Sequence, residues 1–188
     1  MLKITYVKNN ILIKRRTMQM VNSDLIILGM IYFQPSHGYL LKKNVKYYFG
    51  NPYFKLNNNV LYSTLIKLEK NGFIVGKVIP EKINKKVYHI TEEGKKHLIE
   101  LVSTPSTPES DDFGFKVKSV FFDLIPSESR IKVIKPLYES KLKMLQEASK
   151  KKEIHGSDMP PLSFAVLEFG IKELMSSIEF YEKLMNFK

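Results

Sequence analysis

The apolar residues of this chain recur in spaced stripes, and the spacing predicts a mostly helical protein interrupted by one pair of strands. Leu25-Ile-Ile-Leu-Gly-Met-Ile-Tyr-Phe33 is apolar on nearly every side, which predicts a buried helix opened by the capping run Asn22-Ser23-Asp24. Pro35 and Gly38 punctuate the turn after it. A second helix over 39–49 turns Leu40, Leu41, Val45 and Tyr48 inward and Lys42, Lys43 and Lys46 outward, and the loop Asn51-Pro52-Tyr53-Phe54 follows. In the third helix Leu61, Leu65 and Leu68 fall at i, i+4 and i+7, while Asn59, Ser63 and Lys67 occupy the opposite face. Asn57 or Asn58 caps its start, and Asn71-Gly72 ends it with residues that accept a left-handed conformation.

The period then changes. Strands are expected over 73–79 and 87–90, joined by a Lys-rich turn in which Pro80 sits where no ladder donor is required. Thr91-Glu92-Glu93-Gly94 caps a further helix to about Val102. Three helices and a basic-tipped hairpin, in that order, read as a winged helix-turn-helix. Residues 103–112 contain two prolines and no apolar side chain, and read as a linker.

Beyond the linker the pattern is helical again. Phe113, Val117, Val120, Phe121 and Leu124 form one stripe. Pro126-Ser127 opens a helix whose inner face is expected to be Ile131, Ile134, Tyr138, Leu142 and Leu145, with a kink at Pro136 and a basic end at Lys150-Lys151-Lys152. A turn over 156–161 leads to a last helix, 162–187. Leu167, Ile171, Leu174, Ile178, Tyr181 and Met185 run down one side of it and are the expected dimer interface; Phe164, Phe169, Met175 and Phe180 widen the stripe beyond what one neighbour covers. Gly170, costly in a helix interior by about 1 kcal/mol, suggests close approach of a neighbouring backbone.

The fold class expected is therefore mostly α with a small β-hairpin wing (α+β). A basic extension (1–21) precedes a winged helix (22–102), a linker (103–112) and an antiparallel helical dimerisation domain (113–188).

Charge adds a direction to this picture. The formal net charge is +11. Residues 1–22 hold five basic and no acidic side chains, residues 23–102 hold 12 and 6, and residues 103–188 hold 13 of each. All of the excess lies in the N-terminal half, where the winged helix is, the footprint expected of a domain that neutralises phosphates. Cysteine is absent, which excludes disulfides and thiolate chemistry and suits the cytoplasm. No run approaches the roughly 18 apolar residues needed to cross a bilayer, and the basic start has no apolar core of a secretory signal. The four histidines (His37, His89, His97, His155) lack ligand spacing, and neither a phosphate-binding Gly-rich loop nor a Ser-His-acid order stands out, so no cofactor, metal or enzymatic activity is expected. His37, before a glycine at a helix start, reads as a capping residue.

Particular residues carry a resemblance. Leu28-Gly29, Pro35-Ser36-His37-Gly38-Tyr39-Leu40-Leu41-Lys42-Lys43, Leu61-Tyr62, Leu65, Leu68-Glu69, Gly72-Phe73-Ile74, Tyr88 and Thr91-Glu92-Glu93-Gly94 together resemble the PadR family of bacterial transcriptional regulators, in the members with a larger helical C-terminal domain. Asn59-Val60 stands where the family usually has Gly-Thr, and Asn84-Lys85-Lys86 where an Arg-containing wing tip is common. The resemblance implies a homodimer that binds double-stranded DNA as a regulator, a repressor acting on an inverted repeat, with a small-molecule effector an open possibility. The DNA-facing set expected is Tyr39, Asn58, Asn59, Tyr62, Ser63, Lys67, Lys85 and Lys86. Small relatives that hold flat drugs between tryptophans have no counterpart here, since the chain has no Trp. The alternatives are a winged-helix adaptor for other proteins and, further off, a small-molecule-binding protein.

Overall fold

A computed structural model of the chain describes residues 23–49, 56–79, 86–106 and 112–187. The elements are α1 (23–33), α2 (Gly38–Phe49), α3 (Asn58–Lys70), β1 (Ile74–Val78), β2 (Lys86–Ile90), α4 (Glu92–Ser103), α5 (Asp112–Ser119), α6 (Ser127–His155) and α7 (Pro161–Met185), with short 3-10 turns at Phe122–Leu124 and Gly156–Asp158. The fold is thus mostly helical with a two-stranded antiparallel hairpin. The expected cap Asn22, the loop 51–54 and the wing tip 80–85 lie outside the described residues.

Two compact units divide the chain, one running to Val102 and including Asp112–Leu124, the other made of Ser103–Asp111 and Ile125–Lys188. In the first, α1 is buried along Leu25, Ile26, Ile27, Leu28, Met30 and Ile31, each fully buried side chain contributing about 1.5–3 kcal/mol. Gly29 lies under the ring of Phe121, so closely that a Cβ there would stand 2.2 Å from Cζ. The same ring meets Phe33 with centroids 5.2 Å apart. This contact is why 112–124 belongs to the first unit, whereas the sequence pattern drew the boundary at 113. The buried residues of that segment are Phe115, Val117, Phe121 and Phe122, while Val120, expected inward, is exposed. The Phe113 side chain lies outside the described residues.

On α2 the buried residues are Gly38, Leu41, Val45 and Phe49. Tyr48, expected inward, is 54% exposed, its ring against Phe33 on one side and Tyr47 on the other. Leu40 is half-buried. The inward face therefore runs through Phe49, one residue further on than the pattern suggested.

Helix α3 ends in a Schellman turn. Phe73 N–H donates to the Leu68 carbonyl (2.9 Å), and Gly72 takes φ 75°, which a Cβ would resist. The chain enters β1, which pairs β2 with Ile74 opposite Ile90 and Gly76 opposite Tyr88. Ser36 adds a third extended piece, exchanging backbone hydrogen bonds with Tyr88 at 3.2 and 3.0 Å. Thr91 closes the hairpin: its N–H donates to the Phe73 carbonyl, and its hydroxyl lies 2.7 Å from the Gly72 carbonyl and accepts from Gly94 N–H at the start of α4.

In the second unit α6 and α7 form an antiparallel pair. Lys152 meets Glu168 near the turn (2.6 Å), the Tyr138 hydroxyl donates to Glu182 (2.8 Å), and Arg130 donates to the Phe187 carbonyl at the open end. Helix α6 runs on through Pro136 and past the lysine run to His155. Its buried face is Arg130, Val133, Ile134 and Leu137; Ile131 is exposed and Tyr138, Leu142 and Leu145 are half-buried.

If Phe121 depends on the missing side chain at position 29, Gly29→Ala should lower stability by about 1–3 kcal/mol, the usual cost of overpacking. The check is the urea midpoint, with Gly29→Ala/Phe121→Leu losing less than the sum of the two single changes.

Candidate nucleic-acid interface

Helix α3 has two faces because its apolar residues sit at one spacing and its polar ones at another. Leu61, Thr64, Leu65 and Leu68 are buried, which fixes the rotation of the helix. Asn59, Tyr62, Ser63, Ile66 and Lys70 then point away from the core and are exposed. Asn57 is the cap: its side chain accepts the Asn59 N–H at 2.9 Å. Of the two candidates named from sequence, it is Asn57 that caps and Asn58 that is free to reach elsewhere.

The structure gives several of the expected DNA-facing side chains partners within the fold. Lys42 on α2 donates to Asn58 Oδ1 (2.7 Å). The Ser63 hydroxyl donates to the Val60 carbonyl one turn back (3.1 Å). Lys67 is ion-paired with Asp24 at the start of α1, and the Asp24 side chain is only 12% exposed. Lys86 reaches across the hairpin to Glu69 (2.7 Å), with its ammonium 5.4 Å from the Tyr88 ring centroid. Lys85 lies outside the described residues. Lys70, which the pattern did not single out, is exposed and pairs with no carboxylate among the described residues.

At the start of α2, His37 Nδ1 accepts the Leu40 N–H (3.3 Å), the capping role its position suggested. Tyr39 is exposed and stacks on His37 with centroids 6.3 Å apart. The Tyr62 ring lies against Gly38, where a Cβ would come within 3.1 Å of it. The first turns of α2 and α3 are thereby held side by side, with Tyr39, Asn59 and Tyr62 outward.

Residues 27–100 match the model of the Transcriptional regulator PadR-like family. The match to this family falls within the N-terminal unit. Solved structures similar to the chain include Bacillus subtilis PadR in complex with operator DNA (19% identity, 86% of this chain and 94% of that one, TM-score 0.40). A PadR-like transcriptional regulator from Bacillus cereus is 23% identical over 87% of this chain and 95% of that one, with a TM-score of 0.39. The Vibrio cholerae virulence activator AphA is 17% identical over 87% and 95%, with a TM-score of 0.38. No curated protein sequence matches the chain. The PadR-like segment holds every residue of the outward α3 face and both described strands of the wing.

The wing is anchored by Glu69. Its carboxylate takes the Lys86 ammonium and also accepts the Gly76 N–H (3.1 Å). Gly76 has no Cβ because the Lys86 stem lies across it: a Cβ would stand 1.9 Å from Cε. The Lys86 hydrogen bond, joined by the Gly76 amide and the lysine charge, holds the Glu69 carboxyl below its ordinary value against an opposing effect of burial. The hydrogen bond to Glu69 raises Lys86 in turn. A lowered carboxyl stabilises the fold above its ordinary pKa and loses that contribution as pH falls through the lowered value; a raised lysine loses its contribution only as pH rises through the raised value. Between those limits the anchor is intact. Because both groups are partly exposed, Glu69→Ala should cost no more than about 1 kcal/mol, with faster amide exchange at Gly76. The difference from the parent should persist through neutral pH and close in acid below the usual carboxylate range, read from thermal melts and Gly76 exchange.

Proposed function

We propose that the chain is a sequence-specific DNA-binding transcriptional regulator that acts as a homodimer on an inverted-repeat operator, most simply as a repressor. The observation that carries this reading is the outward face of α3. It stands beside a wing in the half of the chain that holds all the excess positive charge. Phosphate neutralisation supplies affinity there and base edges supply choice. The test is footprinting on DNA from upstream of the protein's own gene, with affinity measured against salt. A chain without salt-dependent duplex affinity is not a DNA-binding regulator.

Assignment of charge follows the ion pairs. Lys70→Ala should weaken binding to all duplexes alike and lower the salt slope by about one. Lys67→Ala and Lys86→Ala should instead act mainly on stability, since each leaves a carboxylate behind. Equal salt slopes in the parent and Lys70→Ala would remove Lys70 from the interface. Asn59, near the start of the helix and exposed, is suited to read adenine through N6 and N7. Asn59→Ala should narrow the ratio of operator to scrambled affinity by about 1–3 kcal/mol.

The homodimer part of the reading rests on α7. Ile178 and Tyr181 of the stripe expected to pair between copies are buried in the single chain, and Leu167, Ile171, Leu174 and Met185 are half-buried. The exposed apolar side chains are instead Leu162 (83%), Val166, Phe169 (62%), Met175 and Phe180. Gly170, far from being crowded, has nothing within 4 Å of where its Cβ would be. An apolar face of this kind with a bare backbone beside it suits a two-fold pairing of the same surface. Two winged helices so joined would reach half-sites about one DNA turn apart. Val166→Glu/Phe169→Glu should leave the helical content unchanged and convert a dimer into a monomer by sedimentation. A dimer that survives the double change is built on another surface.

A further inference from the structure

Ile66 is the one side chain on the outward face of α3 that cannot hydrogen-bond. It is 66% exposed, one turn beyond Tyr62 and two turns beyond Asn59 on the same side of the helix. The core stripe Leu61, Leu65, Leu68 neither needs it nor covers it. A helix face used only for solvation would put a polar residue there, and the flanking residues Lys67 and Lys70 do so.

Its neighbours sharpen the point. Of the polar groups on or beside this face, Lys67 is taken by Asp24, Asn58 Oδ1 by Lys42, and the Ser63 hydroxyl proton by the Val60 carbonyl. The face of α3 is thus poorer in free hydrogen-bonding groups than its sequence suggests, and richer in apolar surface. In a major groove the apolar feature on a base edge is the C5-methyl group of thymine. The charge around the face suits that occupant: residues 23–102 carry twice as many basic as acidic side chains, so the surface that attracts a polyanion has an aliphatic residue at its middle.

Building on the DNA-binding reading above, we propose that Ile66 is a specificity-determining residue that recognises a thymine methyl group in each half-site. It contributes nothing to phosphate affinity. Its effect is to select T over C at one position, and over any base lacking a C5 substituent, by contact with the methyl carbon.

The experiment starts from a duplex enriched from a random-sequence pool by the intact chain, then remade with deoxyuridine replacing thymidine one position at a time. At one position per half-site, loss of the methyl should weaken binding about fourfold, the transfer value of one carbon. Ile66→Ala, an exposed change toward a better helix former, should bind the thymidine and deoxyuridine duplexes equally at that position while keeping the parent's salt slope and melting curve. Ile66→Val should keep part of the discrimination. Salt-dependent binding that is indifferent to every deoxyuridine substitution overturns the assignment and leaves DNA binding standing. So does a methyl preference unchanged in Ile66→Ala, which would place the reader elsewhere. Absence of any salt-dependent duplex affinity overturns the DNA-binding reading itself, and Ile66 would then belong to an interface with another protein.

Discussion

Helix α1 buries its apolar run from Leu25 to Ile31, leaving only Tyr32 and Phe33 at its end exposed, and the first unit is arranged to satisfy that demand. Six of its large side chains are buried, and Gly29 supplies a flat place for the Phe121 ring. A helix buried in this way must be covered by several elements at once. One consequence is that α3 cannot rotate: Leu61, Leu65 and Leu68 commit one side of it to the core. A second is that the covering elements come from distant parts of the chain. That is how a segment beyond the proline-rich stretch joins a unit that local patterning would have closed at Val102.

The electrostatics follow from the same arrangement. Asp24 sits at the start of α1, largely hidden, and would be costly to leave alone there; Lys67 meets it from α3. Glu69, two residues on, is matched by Lys86 from the wing. These pairs tie α3, α1 and the wing to one another. They also withdraw positive charge from the surface, so the cations available to a polyanion are not the ones nearest the helix centre in sequence.

Most of this architecture was legible from residue spacing. The Leu61, Leu65, Leu68 register, the Asn71-Gly72 ending, the hairpin and the Thr91 cap each rest on local chemistry, and local chemistry is what a sequence displays. Where the pattern misled, a non-local contact decided. Tyr48 has the spacing of an inward residue, yet it lies outside because Phe49 and Phe121 occupy that side. Gly170 suggested a close neighbouring backbone, yet no atom stands within 4 Å of where its Cβ would be. On α7 the pattern held more apolar residues than one seam uses, and could not say which would face α6; the burial of Ile178 and Tyr181 decides it. In the candidate site, Asn59 and Tyr62 are exposed as expected, whereas the pairing of Lys67 with a residue 43 positions earlier has no local signature. Ile66 did have one, an isoleucine off the leucine stripe.

Thr91 joins three things through one side chain and one amide: the turn that ends α3, the strand that closes the wing, and the first turn of α4. No spare residue separates them, so there is no hinge at this point. Gly94 makes the joint tighter still, since a Cβ on it would run into the Phe73 carbonyl at 1.9 Å. Torque applied along α4 is therefore delivered to the C-terminal end of α3 as if through a welded bracket, with no slack to absorb it.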